Sequence, residues 1–208
     1  MELKKFLYHN IYIDRPTYHL QNYLVFELMT NTQRFVYMKH PIYPASDNEK
    51  HIVFVKSTKF LNMWRNMQFP QVPKLSFGNE ADWRNDDKFQ YAEKGFSYGR
   101  SNPVPLAEVS CEQYIEQEPV YVKQFLWFNK LIGYTQNTKT ACSFINGITR
   151  TIWLLANGVQ QFPVYTYSEE DAILLAKYAG IYSEGYYGLL ELNKELEKLT
   201  NINLYEPQ

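Results

Sequence analysis

The chain has 208 residues, 45% apolar and 21% charged, and its 21 basic and 22 acidic side chains give a net charge of −1. That length supports one hydrophobic core, and the near-neutral balance excludes a bulk polycation that coats nucleic acid without selection. Two cysteines, Cys111 and Cys142, are too few for a disulfide framework or a four-thiolate zinc site.

The charge is unevenly spread. Residues 1–60 hold 8 basic and 5 acidic side chains, and residues 168–208 hold 3 and 8. Solvated faces explain this separation most simply; a basic N-terminal surface turned toward a partner is the alternative. The opening ten residues lack the apolar region of a secretory signal. No apolar run approaches the roughly 20 residues of a membrane span, so the chain reads as cytoplasmic and reduced. Aromatic residues reach 17%, which suits a Tyr-rich core and rim as well as base-stacking platforms.

In chain order, residues 23–28 and 34–38 flank the polar turn Thr30-Asn31-Thr32-Gln33 and read as a hairpin, with residues 52–55 as a third strand. Ser57 is placed to cap a helix with Phe60, Leu61, Trp64 and Met67 on one face, ended by Pro70 and Pro73. A polar helix is expected near residues 86–94, stopped by Gly95. Prolines 103 and 105 make residues 99–109 an extended segment or edge strand. An apolar run at 120–128 precedes a polar loop at 135–140. Residues 162–165 read as a strand. Ser168 then caps a helix with Ala172, Leu175, Tyr178 and Ala179 inward and Gly180 past its end. A last helix carries Leu189, Leu192, Leu196 and Leu199 in one stripe, read as core packing.

The stretch with chemical content is residues 141–158. It is compatible with a hairpin turning at Asn146-Gly147, supported by the β-branched Ile148, Thr149, Thr151 and Ile152. It is also compatible with a strand, a corner, and a helix over 148–156. Three successive polar residues, Thr149, Arg150 and Thr151, break strand alternation, whereas Ile148, Ile152, Leu155 and Ala156 share a helical face and Asn157-Gly158 supplies a stop. The helix reading is preferred. Unpaired first-turn N–H groups at the corner suit an anion. Gly147 admits a ligand close to the backbone, Arg150 can grip a phosphate, and Thr149 and Thr151 offer hydroxyls.

These residues resemble the ParB/sulfiredoxin superfamily, whose members run strand, Gly-x-x-Arg, helix, glycine, and a short strand with Pro-Val; here these are Gly147 to Arg150, Gly158 and Pro163-Val164. Within it the chain is similar to the plasmid fertility-inhibition factors. Gly95-Phe96-Ser97-Tyr98-Gly99, Asn102 to Val109, and Phe144 to Leu155 match their boxes, and the likeness covers about residues 82–180. Two positions depart from the pattern. Ile148 stands where sulfiredoxins carry their cysteine nucleophile, which argues against sulfiredoxin chemistry and leaves Cys142 a buried strand thiol. Thr149 replaces the usual histidine and removes an imidazole from the corner.

The fold expected is a mixed α/β (α+β) single domain over residues 1–208: the resemblance implies a ParB/sulfiredoxin-like core at 82–180, and the residue pattern adds a β-rich extension at 1–81 and a helical tail at 181–208. The resemblance also implies interference with conjugative DNA transfer through nucleotide binding, with NTPase and DNase activity as the enzymatic reading. Arg150 and Glu108 are then the catalytic candidates. Asn146, Gly147, Ile148, Thr149, Arg150, Thr151, Arg100 and Asn102 are the nucleotide- or phosphate-binding candidates, ATP and Mg2+ the cofactors, and no metal is held by the protein alone. The partners implied are a nucleotide and either DNA or a protein of the conjugation machinery. The competing readings are a non-catalytic inhibitor that binds the transfer machinery, and a nucleotide-dependent switch or small-molecule kinase. Glu112 and the Asp82, Asp86, Asp87 cluster are weaker carboxylate candidates, the cluster being a helix start. His9, His19, His40 and His51 lack metal-ligand spacing.

Overall fold

The computed structural model describes residues 12–14, 17–18, 21–43, 49–124, 128–182 and 185–203. His9, His19 and the side chains of Leu196 and Leu199 lie outside this description. Strands β1 (Tyr12–Asp14), β2 (Thr17–Tyr18), β3 (Gln21–Met29) and β4 (Phe35–Pro41) open the chain. Along β4 every second residue, Val36, Met38 and His40, is buried, the period of a sheet with one covered face. Thr30 closes the β3–β4 hairpin: its backbone N–H donates to the Arg34 carbonyl at 3.0 Å, and its hydroxyl accepts from the Arg34 N–H at 3.1 Å.

Strand β5 (His51–Lys56) runs straight into helix α1 (Ser57–Arg65). Ser57 is therefore the first helical residue and not the cap; Lys56 holds the cap position in extended conformation. The Ser57 hydroxyl donates instead to the Val159 carbonyl. Phe60, Met63 and Trp64 are buried as the helical period demands, but the helix ends at Arg65 and leaves Met67 beyond it. Pro73 opens the short helix α2 (Pro73–Ser76), where its missing N–H costs nothing.

Helix α3 (Glu80–Arg84) starts with a reciprocal cap: Asn79 accepts from the Ala81 and Asp82 N–H groups, and Asp82 accepts from the Asn79 N–H. Asp86 accepts from the Lys88 N–H at 3.0 Å. Asp82 and Asp86 thus serve helix starts, as their sequence context suggests. Helix α4 (Phe89–Ser97) continues through Gly95, contrary to the expected stop. A Cβ at Gly95 would lie 3.3 Å from Cγ2 of Val104, so the glycine there allows close packing of helix on strand.

Strand β6 (Val104–Pro105) lies on a sheet edge, parallel to β4, where a proline is tolerated. Strands β7 (Ala107–Gln124) and β8 (Phe128–Asn146) form a long antiparallel ribbon. The polar segment at 135–140 is a strand and not a loop. Most of its side chains are exposed, so no alternation marks it, and pairing with residues 113–118 satisfies its backbone.

Helix α5 (Ile148–Ala156) follows, then strand β9 (Gln161–Thr166), helix α6 (Glu169–Ala179), strand β10 (Tyr186–Gly188) and helix α7 (Leu189–Asn203). The second sheet has the order β10-β5-β9-β7-β8, with β7 parallel to β9 and the other pairs antiparallel. Strand β5 sits inside this sheet, and one hydrophobic cluster joins Leu24 and Phe26 to Phe54, Trp64, Phe144 and Phe162. Residues 51–65 are thus built into the same core as residues 82–180.

Ser168 caps α6 by accepting from the Asp171 N–H at 3.1 Å, and Glu169, Glu170 and Asp171 complement the helix dipole. Ala172, Leu175, Ala176 and Ala179 are buried, whereas Tyr178, expected inward, is exposed. Removal of the cap in Ser168→Ala is expected to cost about 1 kcal/mol, and Ser168→Asp to retain most of it. Urea unfolding of both variants measures the difference; equal midpoints would contradict the cap.

Candidate functional site at the Gly147 corner

Strand β8 ends at Asn146, and the chain must turn sharply before α5 begins. Gly147 makes that turn in the left-handed region, with φ of 107° and ψ of 11°. The first helical bond runs from the Thr151 N–H to the Gly147 carbonyl at 3.0 Å. A glycine has no side chain to cap with, and α5 has no side-chain cap. Its first-turn N–H groups therefore face outward at the positive end of the helix.

The corner forms one wall of a cleft of about 490 Å³. Asn146, Gly147, Ile148, Thr149 and Arg150 line it, with Phe144 and Ile145 from β8 and Val104 from β6. The opposite wall is α4 with the loop just before it, which contributes Lys88, Tyr91, Ala92 and Gly95. Helices α4 and α5 are held together by stacking of Phe96 on Trp153, with ring centroids 4.1 Å apart, and by the Trp153 Nε1–H donating to Glu93 at 2.7 Å. The Arg84 guanidinium donates to the Ala156 carbonyl at the other end of α5.

Arg150 is half-buried, and its Nε is buried without a hydrogen-bond partner. Burial lowers its pKa, and the nearby Tyr165 and Glu108 partly offset this; a guanidinium nevertheless keeps its charge. Behind it, the Tyr165 hydroxyl donates to Glu108 Oε2 at 2.7 Å. Burial first, then this bond, push the Tyr165 pKa up. The His40 and Tyr165 rings pack in a T-shaped pair with centroids 4.6 Å apart. Glu108 is thus a held carboxylate beside a cation rather than a free base in the cleft.

The other candidates separate. Thr151 is fully buried, its hydroxyl unpartnered within the core, because it falls on the inward side of α5. Asn102 accepts from Lys39 Nζ at 3.1 Å, and neither it nor the exposed Arg100 lines the cleft; from the same box Val104 does. Glu112 is exposed on the ribbon. The space above Gly147 is also filled: a Cβ there would lie 2.7 Å from Arg150 Nε and 2.8 Å from Ala107 Cα. The glycine thus serves the turn and the contact with β7, not a ligand's approach along that direction. Lys88 and Tyr91 were not singled out from the sequence. Their place at the cleft depends on how α4 docks on α5, and no local pattern shows that.

Among the described residues no group of three or more His, Cys, Asp or Glu side chains could hold a metal ion, and no helix is long and apolar enough to cross a membrane.

The family model for plasmid fertility inhibition factors matches residues 52–180. The chain belongs to that family. This fertility inhibition segment begins at β5, some forty residues before the first of the boxes at 95–109 and 144–155, consistent with the place of β5 inside the second sheet. Protein osa of Shigella flexneri is 28% identical over 130 residues, which are 62% of this chain and 56% of that relative. The match therefore spans little more than half of the relative's length. A crystal structure of an oncogenic suppression activity protein, a plasmid fertility inhibition factor studied as a gold(I) cyanide derivative, superposes with a TM-score of 0.66. It covers 95% of this chain and 92% of its own at 22% identity, and so shows a shared fold.

Proposed function

We propose that this fertility inhibition factor acts in the cytoplasm against conjugative transfer of another element's DNA, by binding the phosphates of a nucleotide at the Gly147–Arg150 corner. The observation that carries the reading is the buried, unpartnered Arg150 Nε at the wall of a cleft that also receives an uncapped helix N-terminus. A buried N–H donor without an acceptor is costly, and a phosphate offers oxygens to the same guanidinium. Lys88 adds a second positive charge across the cleft, and the exposed ring of Tyr91 offers a face on which a base can stack.

ATP fits this donor set through its phosphates. The cleft wall itself carries no carboxylate, so Mg2+ would arrive with the nucleotide and supply charge neutralisation on its phosphate oxygens. This chain's own residues bind and orient: Thr149 at the corner, Arg150 on the phosphates, and Glu108, held by Tyr165, as a negative charge near the guanidinium. With Thr149 where the superfamily carries histidine, the corner holds no imidazole to move a proton, and NTPase or DNase activity needs a base from elsewhere. Calorimetry tests the reading. ATP with magnesium should bind with a Kd on the order of micromolar or weaker, more weakly as salt rises, and Arg150→Ala should remove the heat. No heat at millimolar nucleotide would overturn it.

A second reading rests on the β7–β8 ribbon. Ile115, Tyr121, Phe128, Ile132 and Tyr134 are all exposed there, an apolar surface suited to contact with a protein of the transfer machinery. Inhibition by surface contact alone requires no ligand at the corner.

A further inference from the structure

Cys111 on β7 and Cys142 on β8 lie directly opposite in the ribbon register, at its foot where it enters the core. Their backbone bonds settle the kind of pair they make. The Cys111 N–H donates to Asp171 Oδ1 on α6 at 3.1 Å, away from β8. On β8, the Thr140 carbonyl accepts from Asn66 Nδ2 at 3.3 Å. Phe144 accepts from Gln71 Nε2 and donates to Gln71 Oε1, both at 2.8 Å and both away from β7. In an antiparallel strand the N–H and C=O of one residue point the same way, and the direction alternates residue by residue. Positions 140, 142 and 144 therefore point out of the ladder together, and Cys111 faces Cys142 as a pair without mutual backbone hydrogen bonds.

Pairs of that kind are the closer ones, with Cα atoms about 4.5 Å apart, inside the range of about 4.4–6.8 Å that a disulfide spans. Side chains opposite each other share one face, and burial first, then the neighbouring Cys111 thiol, push the Cys142 thiol well up. Cys142 is fully buried and Cys111 is 9% exposed, which makes Cys111 the sulfur that a reagent reaches first.

We infer that Cys111 and Cys142 are a thiol-oxidation site, closing a cross-strand disulfide by exchange with a low-molecular-weight disulfide. The Cys111 thiolate attacks one sulfur of the reagent; the reagent's S–S bond breaks, and its other half leaves as a thiolate that takes up a proton. Cys142 then gives up its proton and attacks the Cys111 sulfur of the mixed disulfide, and the second half of the reagent leaves as a thiol. Two cysteines are oxidised and one small disulfide is reduced to two thiols. The bond closes residues 112–141 into a loop at the foot of the ribbon.

The test uses the full folded chain and oxidised glutathione. After acid quench, denaturation and alkylation, the expected product is a monomer lighter by its two thiol hydrogens, carrying no alkyl group, with peptides bearing Cys111 and Cys142 joined. Its Tm should rise by several degrees and return to the starting value with dithiothreitol. Cys142→Ser should instead keep one glutathione on Cys111. Two alkylated cysteines after prolonged exposure would overturn the inference. So would glutathione retained by the unaltered chain, a disulfide only between chains, or a bond that forms on refolding but never in the folded protein.

Discussion

Gly147→Val is expected to cost the fold about 2–5 kcal/mol, from backbone strain in the left-handed region and from overpacking. The φ of 107° is one that a β-branched residue rarely adopts. The new Cβ would also meet Ala107 Cβ at 2.7 Å and Ala107 Cα at 2.8 Å. Ala107 cannot yield easily, since it is fully buried and pairs with Val164 of β9. Arg150, whose Nε would lie 2.7 Å from the added atom, would be pushed off its place as well. Urea unfolding reads the loss directly, and Gly147→Ala should fall between the valine variant and the parent. A valine variant as stable as the parent would show that the corner relaxes freely. Because this variant disturbs the fold, loss of ligand binding in it says nothing about ligand contacts.

Arg150→Ala carries the functional question. It removes a half-buried guanidinium whose Nε has no partner, so folding should survive with a Tm change of a few degrees at most. Inhibition of transfer should be abolished in a mating assay with donors expressing the variant. A thermal melt must accompany the assay, so that a loss of function is not a loss of fold. Inhibition at full strength in a folded Arg150→Ala protein would sink the nucleotide reading and shift the function to the exposed face of the ribbon.

The corner was legible because its signals are local. Thr149, Arg150 and Thr151 break strand alternation, Ile148, Ile152 and Ala156 keep a helical period, and the observed helix runs Ile148–Ala156. Even so, burial extends round to Thr151, Trp153 and Leu154, because α4 covers a second side of the helix. Ser57 and Ser168 show how similar local patterns diverge. Both precede an apolar helical face, but Ser168 is still extended, with ψ of 148°, and can cap. Ser57 is already helical because β5 leads into α1 without a break. The ribbon was hidden for another reason: exposed on both faces over most of its length, it shows no period of two to read. The far wall of the cleft, Lys88 and Tyr91, depends on tertiary docking alone.

Strand β7 has a mechanical side. Over its 18 residues it reaches from the core beneath Gly147 to the ribbon tip, about 60 Å of chain at roughly 3.3 Å per residue. The hydrogen-bond ladder with β8 stiffens this beam except where the register shifts, between Glu108 and Val109 and between Val120 and Tyr121. Such irregularities are where a ribbon bends. The ribbon therefore changes direction at two places, one near the tip and one at the foot, and the bend at the foot includes Glu108, the carboxylate that Tyr165 holds beside Arg150.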